Sequence, residues 1–335
     1  MSKKRWLALG AAIILFLMST VAGVFTSQTT DQIRGLDNNL FTSEETNFSE
    51  KIIKNGTNLG KIVVLDVNGA IVDSGDVESM FTSPQYNHRQ FLKMIEKAGE
   101  DDSVKGVILR VNSPGGGVAE SAEIHHKLTT FKEEHNKPLY VSMGSIAASG
   151  GYYIATPADK IFASAETLTG SLGVIMQGMN YSELAEKLGV EIQTVKSGQY
   201  KDLLSPYREM SEQEREILQS MVNNSYQGFV NVIAEGRDLT KQEVREIADG
   251  RIYDGRQALE LNLIDQYGYF DDVVDAMKND EELGDVKVVQ YTDDFSFGSL
   301  FSVSANKIIR QNTDLELLQL FTQPNAPRLM YLYTK

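Results

Sequence analysis

The sequence predicts an α/β fold: a mainly parallel sheet with covering helices, preceded by one N-terminal transmembrane helix. Three observations carry this. Short β-branched runs alternate with helical patterns from Lys61 onward. The apolar fraction, 41% of 335 residues, is ample for a packed core. An uncharged run from Trp6 to Phe25 follows the basic cluster Lys3-Lys4-Arg5.

That apolar run holds about twenty residues, which as a helix span roughly the hydrocarbon core of a bilayer. The basic flank, residues 1–5, is expected to stay cytoplasmic. Everything after Phe25 is then extracytoplasmic, giving a single-pass protein of the cell membrane. A cleaved signal peptide is the rival reading, with Thr20-Val21-Ala22-Gly23 a poor cleavage site. Residues 26–58, rich in Asn, Thr, Ser and Glu, read as a polar linker.

The domain expected over 59–311 begins with strands. Ile62–Leu65, Val107–Leu109, Leu139–Val141, Ile161–Phe162 and Val174–Ile175 read as buried strands, and Ile192–Val195 as a further one. Ile124, Leu128 and Phe131 share one helical face, and Leu184 and Leu188 do the same after Tyr181. Ser211 and Glu214 form a capping box that opens a long helix to about Glu235. Its apolar rows, Ile217–Met221 among them, exceed what one flank needs and suit core packing or a subunit contact. The tail, 312–335, carries a short helix around Leu317 and Phe321, stopped by Pro324 and Pro327. Arg328–Lys335 is then an extended apolar strip that packs on its own domain or lies in a peptide groove, its own or a neighbour's.

Composition excludes several chemistries. With no Cys, thiolate nucleophiles, zinc–cysteine clusters and Fe–S centres are impossible. A net charge of −14, from 32 basic and 46 acidic residues, disfavours nucleic acid as a partner. The chain has no Walker-type phosphate loop, no H-E-x-x-H and no G-x-S-x-G. Its four histidines, His88, His125, His126 and His135, lie in polar or charged stretches and read as surface residues. A Ser-His-Asp triad is hard to assemble from them.

Two glycine-rich segments follow strands. In Asn112-Ser113-Pro114-Gly115-Gly116-Gly117 a fixed proline φ and three permissive glycines can aim backbone N–H groups into a cleft, or simply make a tight turn. In Gly144-Ser145-Ile146-Ala147-Ala148-Ser149-Gly150-Gly151-Tyr152-Tyr153 small residues permit close approach of a substrate, or close helix–sheet packing. A serine at the start of the helix through Tyr153 and Ile154 would sit at that helix's positive end. Such a serine needs a base, and with histidines discounted a neutral lysine is the remaining candidate. Lys201, in Ser197-Gly198-Gln199-Tyr200-Lys201-Asp202, is set among small and apolar residues; Lys196 is its competitor.

Together these segments resemble the signal peptide peptidase A family, membrane-bound serine proteases with the fold of the Clp protease subunit and the crotonases. The likeness runs from Lys61 to Gly268 through NSPGGG (112–117), AASGGYY (147–153), TLTGSLGV (167–174), SGxxKD (197–202) and DGRxYDGRQA (249–258), in the family's order. The resemblance implies Ser149 as nucleophile and Lys201 as general base. It gives Gly116 and Gly150 as oxyanion-hole donors and Ser171 as the residue that positions the lysine. It implies hydrolysis of remnant signal peptides and other short apolar peptides at the bilayer's outer face, with no metal or cofactor. Some relatives are about twice this length, the lysine coming from one repeat and the serine from the other. A single-repeat chain is therefore expected to form a homo-oligomeric ring with sites shared between neighbours. The alternatives are a crotonase-type acyl-CoA enzyme and a non-catalytic membrane scaffold.

Overall fold

The computed structural model describes residues 48–73, 86–293 and 330–332. The span expected at 6–25, the linker up to 47 and the tail other than 330–332 lie outside the described residues. Among the described residues no helix is long and apolar enough to cross a membrane.

One sheet organises the domain. Its strands are β1 (Phe48–Lys54), β2 (Asn58–Asn68), β3 (Val104–Ser113), β5 (Leu139–Ala148), β6 (Lys160–Ala163), β7 (Leu168–Gly170), β8 (Ile252–Asp254), β9 (Gln266–Tyr267) and β10 (Val286–Asp293). The spatial order is β1-β10-β2-β3-β5-β6-β9, with β7 paired to both β5 and β8. All pairings are parallel except β1 with β10 and β7 with β8. The central strands are β-branched and buried on both faces, as a parallel sheet between helical layers requires. Ile62, Val63, Val64 and Leu65 are all buried. The polar stretch expected to be linker as far as residue 58 instead supplies β1 at its end.

Helices α1 (His88–Glu100), α2 (Val118–His135), α3 (Gly150–Tyr153), α5 (Glu212–Arg237), α6 (Lys241–Ile247) and α7 (Gly255–Glu260) contribute to the larger core. Asn87 caps α1 by accepting from the Gln90 N–H at 3.1 Å. On α2, Ile124, Leu128 and Phe131 form the buried row expected from their spacing. Each contributes about 1.5–3 kcal/mol by burial, so Leu128→Ala costs about 2–5 kcal/mol. Helix α8 (Phe270–Asp280) covers the other face through Val273, Val274 and Met277. The capping box at the start of α5 is present, with Ser211 and Glu214 each satisfying the other's backbone N–H.

The stretch between β7 and α5 departs from expectation. Val174–Ile175 is not a buried strand: Ile175 is exposed and makes a single bridge, to Met330. Residues 192–195 adopt no strand, having no neighbouring edge to pair with. Helix α4 (Ser182–Lys187) forms where expected but buries none of its residues. Met179, Leu184, Leu188, Val190, Ile192 and Val195 are all exposed. Beside this arm, a cavity of about 330 Å³ is lined by Met176, Met179, Leu204, Met210, Leu218 and Val222, among others.

Candidate active site

Three strand ends converge. Ser113 of β3 registers with Ala147 of β5, and Ala148 of β5 with Gly170 of β7. The residues that follow these ends, Gly115–Gly117, Ser149 and Ser171, therefore emerge at one edge of the sheet. A crevice beyond the carboxyl ends of parallel strands is where such sheets place ligands.

Ser149 turns the chain from β5 into α3 with φ 54° and ψ −117°, a region that favours glycine. The surroundings hold it there. Its N–H donates to the Gly170 carbonyl at 2.7 Å, and its carbonyl accepts from Tyr152 at 3.0 Å and Tyr153 at 2.9 Å. The Ser149 hydroxyl is buried and has no hydrogen-bond partner among the described residues. Helix α3 is a single turn, so the expected help from a helix macrodipole gives way to local amides.

The glycine turn folds against that serine. It forms the short strand β4 (Gly115–Gly117), fixed by Ile71, whose N–H donates to Gly115 at 2.9 Å and whose carbonyl accepts from Gly117 at 2.8 Å. Gly115 has φ +99°. A Cβ on Gly116 would lie 1.9 Å from the Ile71 carbonyl oxygen, so only glycine fits this approach. A Cβ on Gly150 would lie 3.1 Å from the Gly116 nitrogen. The two amides assigned to an oxyanion hole are thus neighbours.

The C-terminal strip crosses the same turn. Strand β11 (Met330–Leu332) pairs antiparallel with β4, setting Tyr331 opposite Gly116. A Cβ on Gly115 would be 2.1 Å from the Tyr331 carbonyl oxygen and 2.7 Å from the Gly150 nitrogen, so both atoms flank one glycine. The Tyr331 ring is buried against Tyr153 and Phe229, with centroids 4.9 and 4.6 Å away. Its hydroxyl donates to the Ser225 carbonyl at 3.1 Å. Of the tail's two expected placements, residues 330–332 show packing on their own domain, along the glycine turn.

Ser171 stands beside Ser149 at the end of the β5–β7 pair, with φ 50° and its N–H donating to the Arg251 carbonyl at 2.7 Å. Lys201 is not brought to them. It is exposed and has no ion-pair or hydrogen-bond partner for its amine among the described residues. Lys196 is paired with Asp202 at 2.5 Å. Ser145 is exposed.

The surface reading holds for His126, which is exposed, but not for His88. His88 is buried, its Nδ1 2.6 Å from the Tyr86 hydroxyl and its Nε2 2.9 Å from the Glu123 carboxylate. His125 packs edge-on against Tyr153 at 5.3 Å, and burial, aided by His126, pushes its pKa down to about 4. His88 is a hydrogen-bonded structural residue and His125 a packed one, and neither pairs with Ser149. Sequence reasoning missed Ser121, whose buried hydroxyl has no partner among the described residues and lies 2.6 Å from where a Gly150 Cβ would be. It also missed Tyr153 and Phe229 as the ring partners of Tyr331; aromatic character alone gives no signal of which rings meet.

Residues 132–284, which include Ser149, Ser171 and Lys201, match the family model described as peptidase family S49. A protein of Enterococcus faecium named signal peptide peptidase SppA is 42% identical over 99% of both chains. The chain belongs to the S49 signal peptide peptidase A family. This family member is also 33% identical to Protease 4 of Haemophilus influenzae, over 70% of its own length and 38% of that protein. It is 34% identical to the chloroplastic serine protease SPPA of Arabidopsis thaliana, over 53% of its length and 26% of the relative. It is a serine-type peptidase.

Proposed function

We propose that the protein is a membrane-anchored serine endopeptidase that uses Ser149 and Lys201 to hydrolyse remnant signal peptides and other short apolar peptides at the extracytoplasmic membrane face. One observation carries the reading: a buried, unpartnered serine hydroxyl beside two glycine amides, with a peptide strand already lying across them. The Ser149 oxygen attacks a peptide carbonyl as a neutral Lys201 takes its proton. The carbonyl oxygen turns toward the Gly116 and Gly150 N–H groups. The lysine then protonates the leaving amine, and water releases the acyl group by the reverse path. Ser171 holds the lysine by a hydrogen bond. The aromatic seat of Tyr331 supports a preference for large apolar residues.

Lys201 reaches Ser149 from a neighbouring copy in a ring. The unpartnered Ser149 hydroxyl, the exposed Lys201 and the uncovered apolar arm around Leu184 and Val195 all support this. A head-to-tail contact of this kind closes into a ring when its rotation permits. The test of the chemistry is labelling by a fluorophosphonate: the adduct is expected on Ser149 and absent from Lys201→Ala. Labelling elsewhere, or none in an active preparation, contradicts it.

A further inference from the structure

The Lys201 loop is poor in packing but rich in ionic anchors. Asp202, the next residue, meets Lys196 Nζ at 2.5 Å from Oδ1. Arg208 holds the same carboxylate twice, Nη2 at 2.8 Å from Oδ1 and Nε at 2.9 Å from Oδ2. Arg208 then continues to Glu214, with Nη1 at 2.8 Å from Oε2, and to the Glu209 carbonyl at 3.0 Å. Glu214 is buried in the first turn of α5, where it also accepts from the Ser211 N–H at 2.9 Å and hydroxyl at 3.0 Å. One guanidinium thus ties the residue beside Lys201 to the capping box of a 26-residue helix. A planar fork grips each of two carboxylates with a pair of directed N–H bonds, four in all, more than the three N–H groups of one ammonium can supply.

The charges also balance. Two cations, Arg208 and Lys196, face two carboxylates: Arg208 and then Lys196 hold the Asp202 carboxyl below its usual range, and Arg208 with the Ser211 N–H does so for Glu214. Other polar groups near the loop include the Tyr200 phenol, Ser205, Glu209, Arg215, which lines a cavity with Arg208, and Gln199, which meets Gln213 of α5 at 3.5 Å. Neither clamped carboxylate is left to pair with Lys201. That matters because a free carboxylate beside an ammonium favours its charged form, and a charged lysine cannot take a proton.

We propose that Arg208 is a positioning residue for the reaction: by clamping Asp202 to Glu214 it fixes the Lys201 loop to α5 and keeps the adjacent carboxylate from holding the lysine charged. The inference rests on the reading of Lys201 as general base. Without Arg208, Oδ2 of Asp202 loses its described partner and turns to the neighbouring ammonium.

The test is the pH profile of peptide cleavage by the full-length chain in detergent. In Arg208→Gln the alkaline-rising limb should move up by roughly one pH unit or more, the effect of an opposite charge nearby. The rate at neutral pH then falls about tenfold or more. Arg208→Lys should move the limb less. The double variant Arg208→Gln, Asp202→Asn should return the limb to its wild-type position while the rate stays below wild type, because the clamp is still missing. A uniform loss at every pH with an unmoved limb overturns the proposal, as does a wild-type profile in Arg208→Gln. If Arg208→Gln does not fold, Arg208→Lys decides by the same criterion. Lys201→Met separates the two ideas. An active Lys201→Met with an unchanged limb refutes the base assignment and the proposal with it. An inactive Lys201→Met beside an unmoved Arg208→Gln limb refutes the clamp alone.

Discussion

Tyr331 stacks on Tyr153, centroids 4.9 Å apart and planes 23° apart, while its backbone pairs with Gly116. Residues 330–332 thus lie along the turn that carries Gly116, which on the proposed reading is the path of a substrate strand. A strand held on the same chain competes at high effective concentration. Removing residues 327–335, or Tyr331→Ala, should raise kcat/KM for an added apolar peptide by roughly tenfold. Steady-state kinetics on the two variants checks this; an unchanged or lower value would mean the tail does not occupy the substrate path.

Ser149 and Ser145 share one glycine-rich segment yet differ in setting: the first is buried at a strained turn, the second exposed. Ser149→Ala should abolish acyl-enzyme formation, and Ser145→Ala should leave it intact. Intact-mass measurement after incubation with a fluorophosphonate reads both. A dead Ser145→Ala with a labelled Ser149→Ala reverses the assignment.

Gly150 leaves no room for a side chain. An added Cβ would sit 2.6 Å from the Ser121 hydroxyl and 3.1 Å from the Gly116 nitrogen. Gly150→Ala should displace the amide pair and lower kcat by about 10²–10³, near 3–4 kcal/mol, with KM changed little. A loss confined to KM would place these amides in substrate binding rather than in stabilising the transition state.

The core pattern was legible because it is local. Ile124, Leu128 and Phe131 repeat at helical spacing, and the central strands are β-branched runs. NSPGGG was legible as a special turn because three glycines exceed what a turn needs. What escaped depends on distant partners. His88 reads as polar surface until Glu123, 35 positions on, closes around it. Ile175 has strand-like neighbours but makes only one bridge, to Met330, and residues 192–195 adopt no strand; pairing decides a strand. Lys201 was legible as a motif, whereas its separation from Ser149 follows from how the chain leaves β7.

His125 sets a stability prediction. Burial first, and then His126, lower its pKa from 6.5 to about 4. Between those values the unfolded chain binds a proton that the folded chain refuses, so stability falls as pH drops through the window from about 6.5 to about 4. His125→Gln should flatten that part of the melting-temperature profile. An identical slope in the variant would show that other groups set it.

The central claim, that Lys201 activates Ser149 across a protomer boundary, is tested most directly by mixing. Ser149→Ala and Lys201→Ala proteins, each inactive alone, are dissociated, combined in equal amounts and reassembled. Random assembly gives about a quarter of the sites an intact serine facing an intact lysine, so about a quarter of wild-type activity should return. Mixed assemblies that form but stay inactive would contradict the account.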